Sequence, residues 1–275
     1  MMAKELEFVA ADGTALRGSV EGEGRPVVLL HGLTSSSRYV LMGSRLLVKS
    51  GFQTVSYDAR GHGASDPSQT VKTYDYSHLA DDLSHILEAS AATRPMGIGI
   101  SMGAHTLAAA ASANPNLFSS LVLITPAYLP GMTFGPEKRA HWHALAEGLR
   151  NGGPEGFIAA GATDGVDERW SELAKRATLQ RMALHKYPGA VADALDSVPQ
   201  SVPFTDWSEL SKLDMPIAVV GSRDNADPGH PLSVATEWSE RLPNASLFVE
   251  AEDESPLAWR GAAISKIAIE TAGAV

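Results

Sequence analysis

Short apolar runs recur along the chain at residues 6–10, 14–20, 26–30, 52–57, 96–100, 121–124, 216–220 and 246–249. The first two largely alternate apolar with polar positions and meet at Asp12-Gly13, a hairpin signal. From residue 26 onward the runs become continuous, as in Val27-Val28-Leu29-Leu30 and Leu121-Val122-Leu123-Ile124, the pattern of strands buried on both faces. Helical spacing lies between them. Leu79, Leu83, Ile86 and Leu87 share one face of a helix predicted over residues 76–90, and an alanine-rich stretch at 102–113 reads as another. Strand and helix in alternation predict an α/β fold, a mostly parallel, doubly wound sheet.

The alternation stops between residues 127 and 201. Helical stretches at 136–150, 154–161, 167–186 and 189–197 follow one another there, separated by Asn151-Gly152-Gly153-Pro154, Gly161, Gly165 and Pro188-Gly189. Strand pattern resumes at Pro216. The expectation is a helical cap, residues 127–205, inserted after the sixth strand of a core made of 1–126 and 206–275. A chain of 275 residues, 44% hydrophobic, supports one such domain with an insertion. Its net charge of -10 speaks against nucleic acid or an anionic membrane as partner, since either needs a basic face. With no cysteine there is no disulfide, thiolate metal site or cysteine nucleophile. Acidic residues among the first seven, where a signal peptide carries an apolar stretch, and the lack of any apolar run near ~18 residues make the cytoplasm the expected location.

The chemistry centres on Gly99-Ile100-Ser101-Met102-Gly103, placed between a predicted strand and a predicted helix. A sharp strand-turn-helix corner lifts a serine hydroxyl clear of the sheet, and it leaves no room for a Cβ two residues to either side. His31-Gly32 directly follows the strand at 26–30, so the Leu33 amide, with that of Met102, is positioned to form an oxyanion hole. Asp58-Ala59-Arg60-Gly61-His62-Gly63-Ala64-Ser65 follows the strand at 52–57. In order and spacing these segments resemble the α/β-hydrolase superfamily, in its serine-nucleophile, esterase- and lipase-like branch. The resemblance covers nearly the whole chain outside the cap. It implies that fold, Ser101 as nucleophile, and structural roles for His31 and His62.

The resemblance also places the orienting carboxylate after the strand at 216–220, at Asp224, with Pro228 four residues on; Asp227 is the near alternative. It places the catalytic histidine after the last strand, where this chain carries Glu254, and no histidine occurs beyond His230. A serine hydroxyl needs a base. The leading candidate is His230, one short loop past Asp224. His141, His143 and His185 of the cap are others, and Glu254 could serve if burial raised its pKa. The acidic run Glu250, Glu252, Asp253 beside it reads as a solvated loop. Glu254 is expected to face Asp224 across the pocket mouth. His105 is expected to pack on the sheet, and His78 and His85 to lie at the surface.

Tyr128, Met132, Phe134, Trp142 and Phe157, with Trp207 at the return, would roof Ser101 with apolar and aromatic surface, and Tyr128, Phe134 and Trp142 are the candidate substrate contacts. A small apolar ester, lactone or other acyl compound suits such a roof. No metal, nucleotide or other cofactor is indicated, and the glycines near Ser101 form no phosphate loop, since no Gly-Lys-Ser/Thr follows them. Two functions remain open: a cofactor-independent serine hydrolase, or a non-hydrolytic small-molecule binder or enzyme that has lost the triad histidine.

Overall fold

The computed structural model describes residues 3–223, 225, 227–252, 254 and 259–273. Eight strands, β1 (Lys4–Val9), β2 (Ala15–Glu21), β3 (Arg25–Leu30), β4 (Phe52–Tyr57), β5 (Met96–Ile100), β6 (Ser120–Ile124), β7 (Ile217–Gly221) and β8 (Ala245–Val249), form one sheet in the order β1-β2-β4-β3-β5-β6-β7-β8. Only the pairings of β2, with β1 and with β4, are antiparallel. The rest run parallel, with Leu30 opposite Gly99, Ile100 opposite Ile124 and Gly221 opposite Val249.

The helices are α1 (Leu46–Lys49), α2 (Tyr76–Ala89), α3 (Met102–Ala113), α4 (Pro136–Ala159), α5 (Glu168–Met182), α6 (Pro188–Ser197), α7 (Leu232–Arg241) and α8 (Gly261–Gly273). Each sheet face has its own apolar layer. On one, Leu83 and Ile86 of α2, Leu107 of α3 and Trp238 of α7 pack on Val28, Leu30, Leu121 and Val219. On the other, Leu47 of α1 and Ile264, Ile267 and Ala268 of α8 pack on Val27, Leu29, Ile98 and Val220. With both faces covered, β6 and β7 are buried at every position, which is why they are almost wholly apolar.

Helices α4, α5 and α6 fall between β6 and β7. The stretches predicted at 136–150 and 154–161 are two helical segments of α4 that meet at a sharp break: Gly153, at φ 60 and ψ -151, is non-helical and Pro154 follows it. Topology then positions the site. After β3 the chain places β4 on one side of it, then crosses to place β5 on the other. Such a reversal opens a crevice at the carboxyl ends of β3 and β5. Gly32 and Ser101 sit at those two ends.

Candidate active site

Ser101 occupies the corner between β5 and α3 with φ 49 and ψ -110, a backbone conformation costly for a residue with a side chain. Two hydrogen bonds hold it there. Its N–H donates to Ile124 O at 2.8 Å, and its carbonyl accepts from His105 N–H at 3.0 Å. The flanking glycines are required by close approach. A Cβ on Gly99 would lie 2.5 Å from the Gly103 carbonyl, and one on Gly103 would lie 2.4 Å from Leu30 O. The corner can form only because both positions lack side chains.

The β3 loop passes beside it, so that a Cβ on Gly32 would be 3.7 Å from Ser101 Cβ. The Met102 N–H is the first of α3, and neither it nor the Leu33 N–H is taken by a hydrogen bond among the described residues. Buried polar groups pin these loops. Ala59 N–H donates to His31 Nε2 at 2.9 Å, while His31 Nδ1 meets Gly32 O at 2.8 Å, so the ring is a neutral Nδ1–H tautomer. Burial, reinforced by the neighbouring His62, holds its pKa down to about 4. His62 lies between the Arg60 and Leu33 carbonyls; its pKa is also lowered by burial, which outweighs those two carbonyls. Asp58 accepts from Ser37 N–H at 2.8 Å and Ala64 N–H at 2.9 Å. Arg60 makes a two-pronged ion pair with Asp82, at 2.8 and 2.6 Å, with both side chains 2% exposed.

His230 lies beside the serine. Its Nε2 lies 2.9 Å from Ser101 Oγ, and its Nδ1 lies 2.9 Å from both carboxylate oxygens of Asp227. The residues come together because Asp227-Pro228-Gly229-His230 closes a turn after β7, with His230 N–H donating to Asp227 O at 3.1 Å. Burial alone would lower the pKa of His230, but the Asp227 carboxylate outweighs it and the net shift is upward. Burial would raise that of Asp227, but His230 and then Arg181 hold it below the ordinary carboxylate value.

The other candidates lie elsewhere. Asp224 falls outside the described residues. Glu254 is exposed, and its carboxylate accepts from the Ala251 N–H at 2.7 Å, closing its own turn instead of facing the serine. Glu250 is not solvated as the acidic run suggested: it is 4% exposed and accepts from Arg223 N–H at 2.6 Å, tying the loop after β8 to the loop after β7. His141 is exposed, and His143, also exposed, pairs with Asp196 at 3.0 Å. His185 is buried and structural; it accepts from Gly63 N–H at 2.9 Å and meets Thr34 O at 3.4 Å, joining the inserted helices to both core loops. His105 is buried between Tyr76 Oη at 2.8 Å and the Ala127 N–H at 3.0 Å. Asp75 caps α2 by accepting from the His78 N–H and meets the His78 ring, and His85 is half-buried.

Of the aromatic residues expected above the serine, Tyr128 lies in the main core instead. It packs edge-on to His105 and Phe204, and its hydroxyl donates to Phe204 O at 2.8 Å. Trp207 joins the same core, against Phe204 and Trp238. Phe134 lies near the start of α4 beneath the Lys138 ammonium, and the Met132 sulfur meets the Leu129 N–H at 3.1 Å. Phe157 is buried among α4, α5 and α6, and Trp142 and Leu33 pack against that cluster. Among the described residues no group of three or more histidine or carboxylate side chains is placed to hold a metal ion.

Residues 25–253 match the family described as alpha/beta hydrolase fold. The chain belongs to that family. Among curated relatives of this hydrolase-fold chain, the sn-1-specific diacylglycerol lipase ABHD11 of Danio rerio is 31% identical over 131 residues, 47% of this chain and 39% of that protein. The 2-(acetamidomethylene)succinate hydrolase of Mesorhizobium japonicum is 33% identical over 104 residues, 38% of this chain and 36% of that protein. Both matches thus span well under half the relative's length. Solved alpha/beta hydrolase structures align over nearly all of the chain. A thermophilic esterase from Thermogutta terrifontis, 22% identical, has a TM-score of 0.75 and covers 98% of this chain and 96% of its own. An enol-lactonase from Burkholderia xenovorans, 20% identical, also scores 0.75, with 96% and 98% covered. At such identities the likeness carries the fold. Among the described residues no helix is long and apolar enough to cross a membrane.

Proposed function

We propose that the chain is a cofactor-independent serine hydrolase of carboxylic esters or lactones, with Ser101 as nucleophile, His230 as general base and Asp227 as the carboxylate that orients it. One observation carries the reading: His230 bridges Ser101 Oγ and the Asp227 carboxylate with hydrogen-bond distances on both sides. Nδ1–H donates to Asp227, which leaves the Nε2 lone pair facing the serine hydroxyl. As Oγ attacks the acyl carbon, its proton passes to Nε2. The carbonyl oxygen, now an anion, takes hydrogen bonds from the Leu33 and Met102 amides, the second favoured by the N-terminal dipole of α3. Collapse breaks the acyl–oxygen bond, and the alcohol leaves with the proton from Nε2. A water, deprotonated by the same nitrogen, then attacks the acyl-serine and releases the acid.

The inserted helices serve as a cap over this site, with Trp142 and the Leu33 side chain in one apolar cluster and His185 as the tie to the loops below. Phe134, at the start of α4, is the remaining candidate substrate contact. The binder alternative rested on the lack of a histidine after the last strand; His230 beside Ser101 favours turnover instead. The test is hydrolysis of a short-chain p-nitrophenyl ester by the wild type and by Ser101→Ala. Turnover abolished in the variant supports the reading, and equal rates in the two proteins refute it.

A further inference from the structure

Helix α5 begins against the loop that carries Asp227 and His230. The N–H of its N-cap residue, Asp167, donates to Asn225 O at 3.2 Å, and a Cβ on Gly165 would touch Pro228 at 3.4 Å. Trp170, Ala174, Ala177 and Arg181 recur along α5 at spacings of four, three and four, one face of a helix. That face holds two orphaned donors: Trp170 Nε1 and Arg181 Nε are both buried without a hydrogen-bond partner. Between them stand only alanines.

Arg181 is the more telling of the two. Asp227, His230 and Tyr39 are the groups that interact with it electrostatically. Yet among the described residues its side chain makes no hydrogen bond or ion pair, while both oxygens of Asp227 lie at His230 Nδ1. Burial accordingly pulls its pKa down, with Asp227 only partly opposing. A guanidinium whose Nε is buried without a partner is unfavourable unless a partner arrives. A planar, bidentate donor set within electrostatic reach of the Asp227–His230 pair is suited to recognise a carboxylate.

We propose that Arg181 receives a carboxylate carried by the substrate's acyl chain, so that the preferred substrate is an ester or lactone whose acyl part bears a second, free carboxylate. The proposal rests on the hydrolase reading for its kinetic test and on binding alone for a second test. In the first, p-nitrophenyl monoesters of glutaric and adipic acid are compared with the neutral p-nitrophenyl pentanoate and hexanoate, in the wild type, Arg181→Gln and Arg181→Lys. The wild type prefers the acid-tailed member of a pair in kcat/KM. In Arg181→Gln the ratio of acid-tailed to neutral falls at least tenfold, and Arg181→Lys retains part of it. The ratio cancels any difference in folded fraction. A ratio unchanged in Arg181→Gln, with both esters slowed alike and the acid limb of the pH profile moved upward, would show that Arg181 acts only on His230 and Asp227 and would overturn the proposal. So would a wild type that hydrolyses the neutral esters without preferring the acid-tailed ones. If the wild type hydrolyses none of them, the hydrolase reading has failed separately. Calorimetric titration with adipate then decides: binding to the wild type weakened at least tenfold in Arg181→Gln upholds the site, and equal or absent binding removes it.

Discussion

Replacing Asp227 by Asn changes one oxygen for an NH2 and removes the charge opposite His230 Nδ1. The amide can present its nitrogen to Nδ1 and so favour the tautomer with the proton on Nε2, where it cannot accept from Ser101. In a fully buried serine-protease triad the same change costs about 10^4 in kcat. Here the pair is partly open, with side chains 34% exposed for Asp227 and 27% for His230, so water screens the interaction and replaces part of it. The expected loss is about 10^2- to 10^3-fold in kcat, or about 3–4 kcal/mol of transition-state stabilisation. The pH profile supplies a second readout. Catalysis needs neutral His230, so kcat/KM falls as pH drops through its pKa, which Asp227 holds above the ordinary histidine value of 6.5. Without the carboxylate only the lowering effects of burial and of Arg181 remain, and the acid limb moves to lower pH. Steady-state hydrolysis of a p-nitrophenyl ester from pH 5 to 9, with Asp224→Asn in parallel, measures both effects. A large loss in Asp224→Asn with Asp227→Asn near wild type would refute the assignment.

Gly103→Ala should destabilise the fold as well as the site. Its Cβ would meet the Leu30 backbone at 2.4 Å, where no side chain can yield. Overpacking of this kind costs about 3 kcal/mol, a fall of about 6–12 °C in Tm by differential scanning calorimetry, and an unchanged Tm would show the corner looser than described. Buried neutral histidines set the acid limit. The pKa values of His31, His105 and His185 are held to about 4, 3 and 3, chiefly by burial, so on unfolding each takes up a proton once the pH is below about 6.5. Their contribution is complete above that pH and is lost as pH falls toward the folded values, at up to about 1.4 kcal/mol per pH unit for each group. His230 has the opposite sign, contributing fully below pH 6.5 and losing its share as pH rises through its raised value. Urea unfolding at pH 7, 6 and 5 should therefore show stability dropping steeply, and a flat profile over that range would contradict the buried, neutral assignment.

The scaffold was legible because its signals are local. Continuous apolar runs marked β3 to β7, and Asp12-Gly13 marked the turn between β1 and β2. The glycines around Ser101 marked a corner that steric contact with Leu30 and within the turn itself enforces. The acid and base were harder, because the family pattern draws them from two loops, after β7 and after β8. On the proposed assignment both lie in one. A turn brings its first and fourth residues together, so Asp227-Pro228-Gly229-His230 carried the signal in its Pro-Gly centre, and Asp227 could have been preferred to Asp224 on that ground. Glu254 illustrates the converse: register after β8 gives it the slot expected for the histidine, but its carboxylate accepts from the Ala251 N–H instead of facing the site. Tyr128 and Trp207 were assigned to the roof on composition, and only the tertiary packing of Phe204 and Trp238 draws them into the core. Arg181 had no local signal at all. Its significance comes from the loop that α5 is packed against.

The central claim is that His230 activates Ser101, and the rate at which a fluorophosphonate phosphonylates the protein, with loss of fluoride, tests it most directly. Followed by intact mass and peptide mapping at pH 8, the wild type should take up one label, on Ser101, and Ser101→Ala none. His230→Ala should react at least about 10^2-fold more slowly, the loss expected when the general base is removed. Labelling of His230→Ala at the wild-type rate, or a folded wild type that takes up no label, would contradict the account.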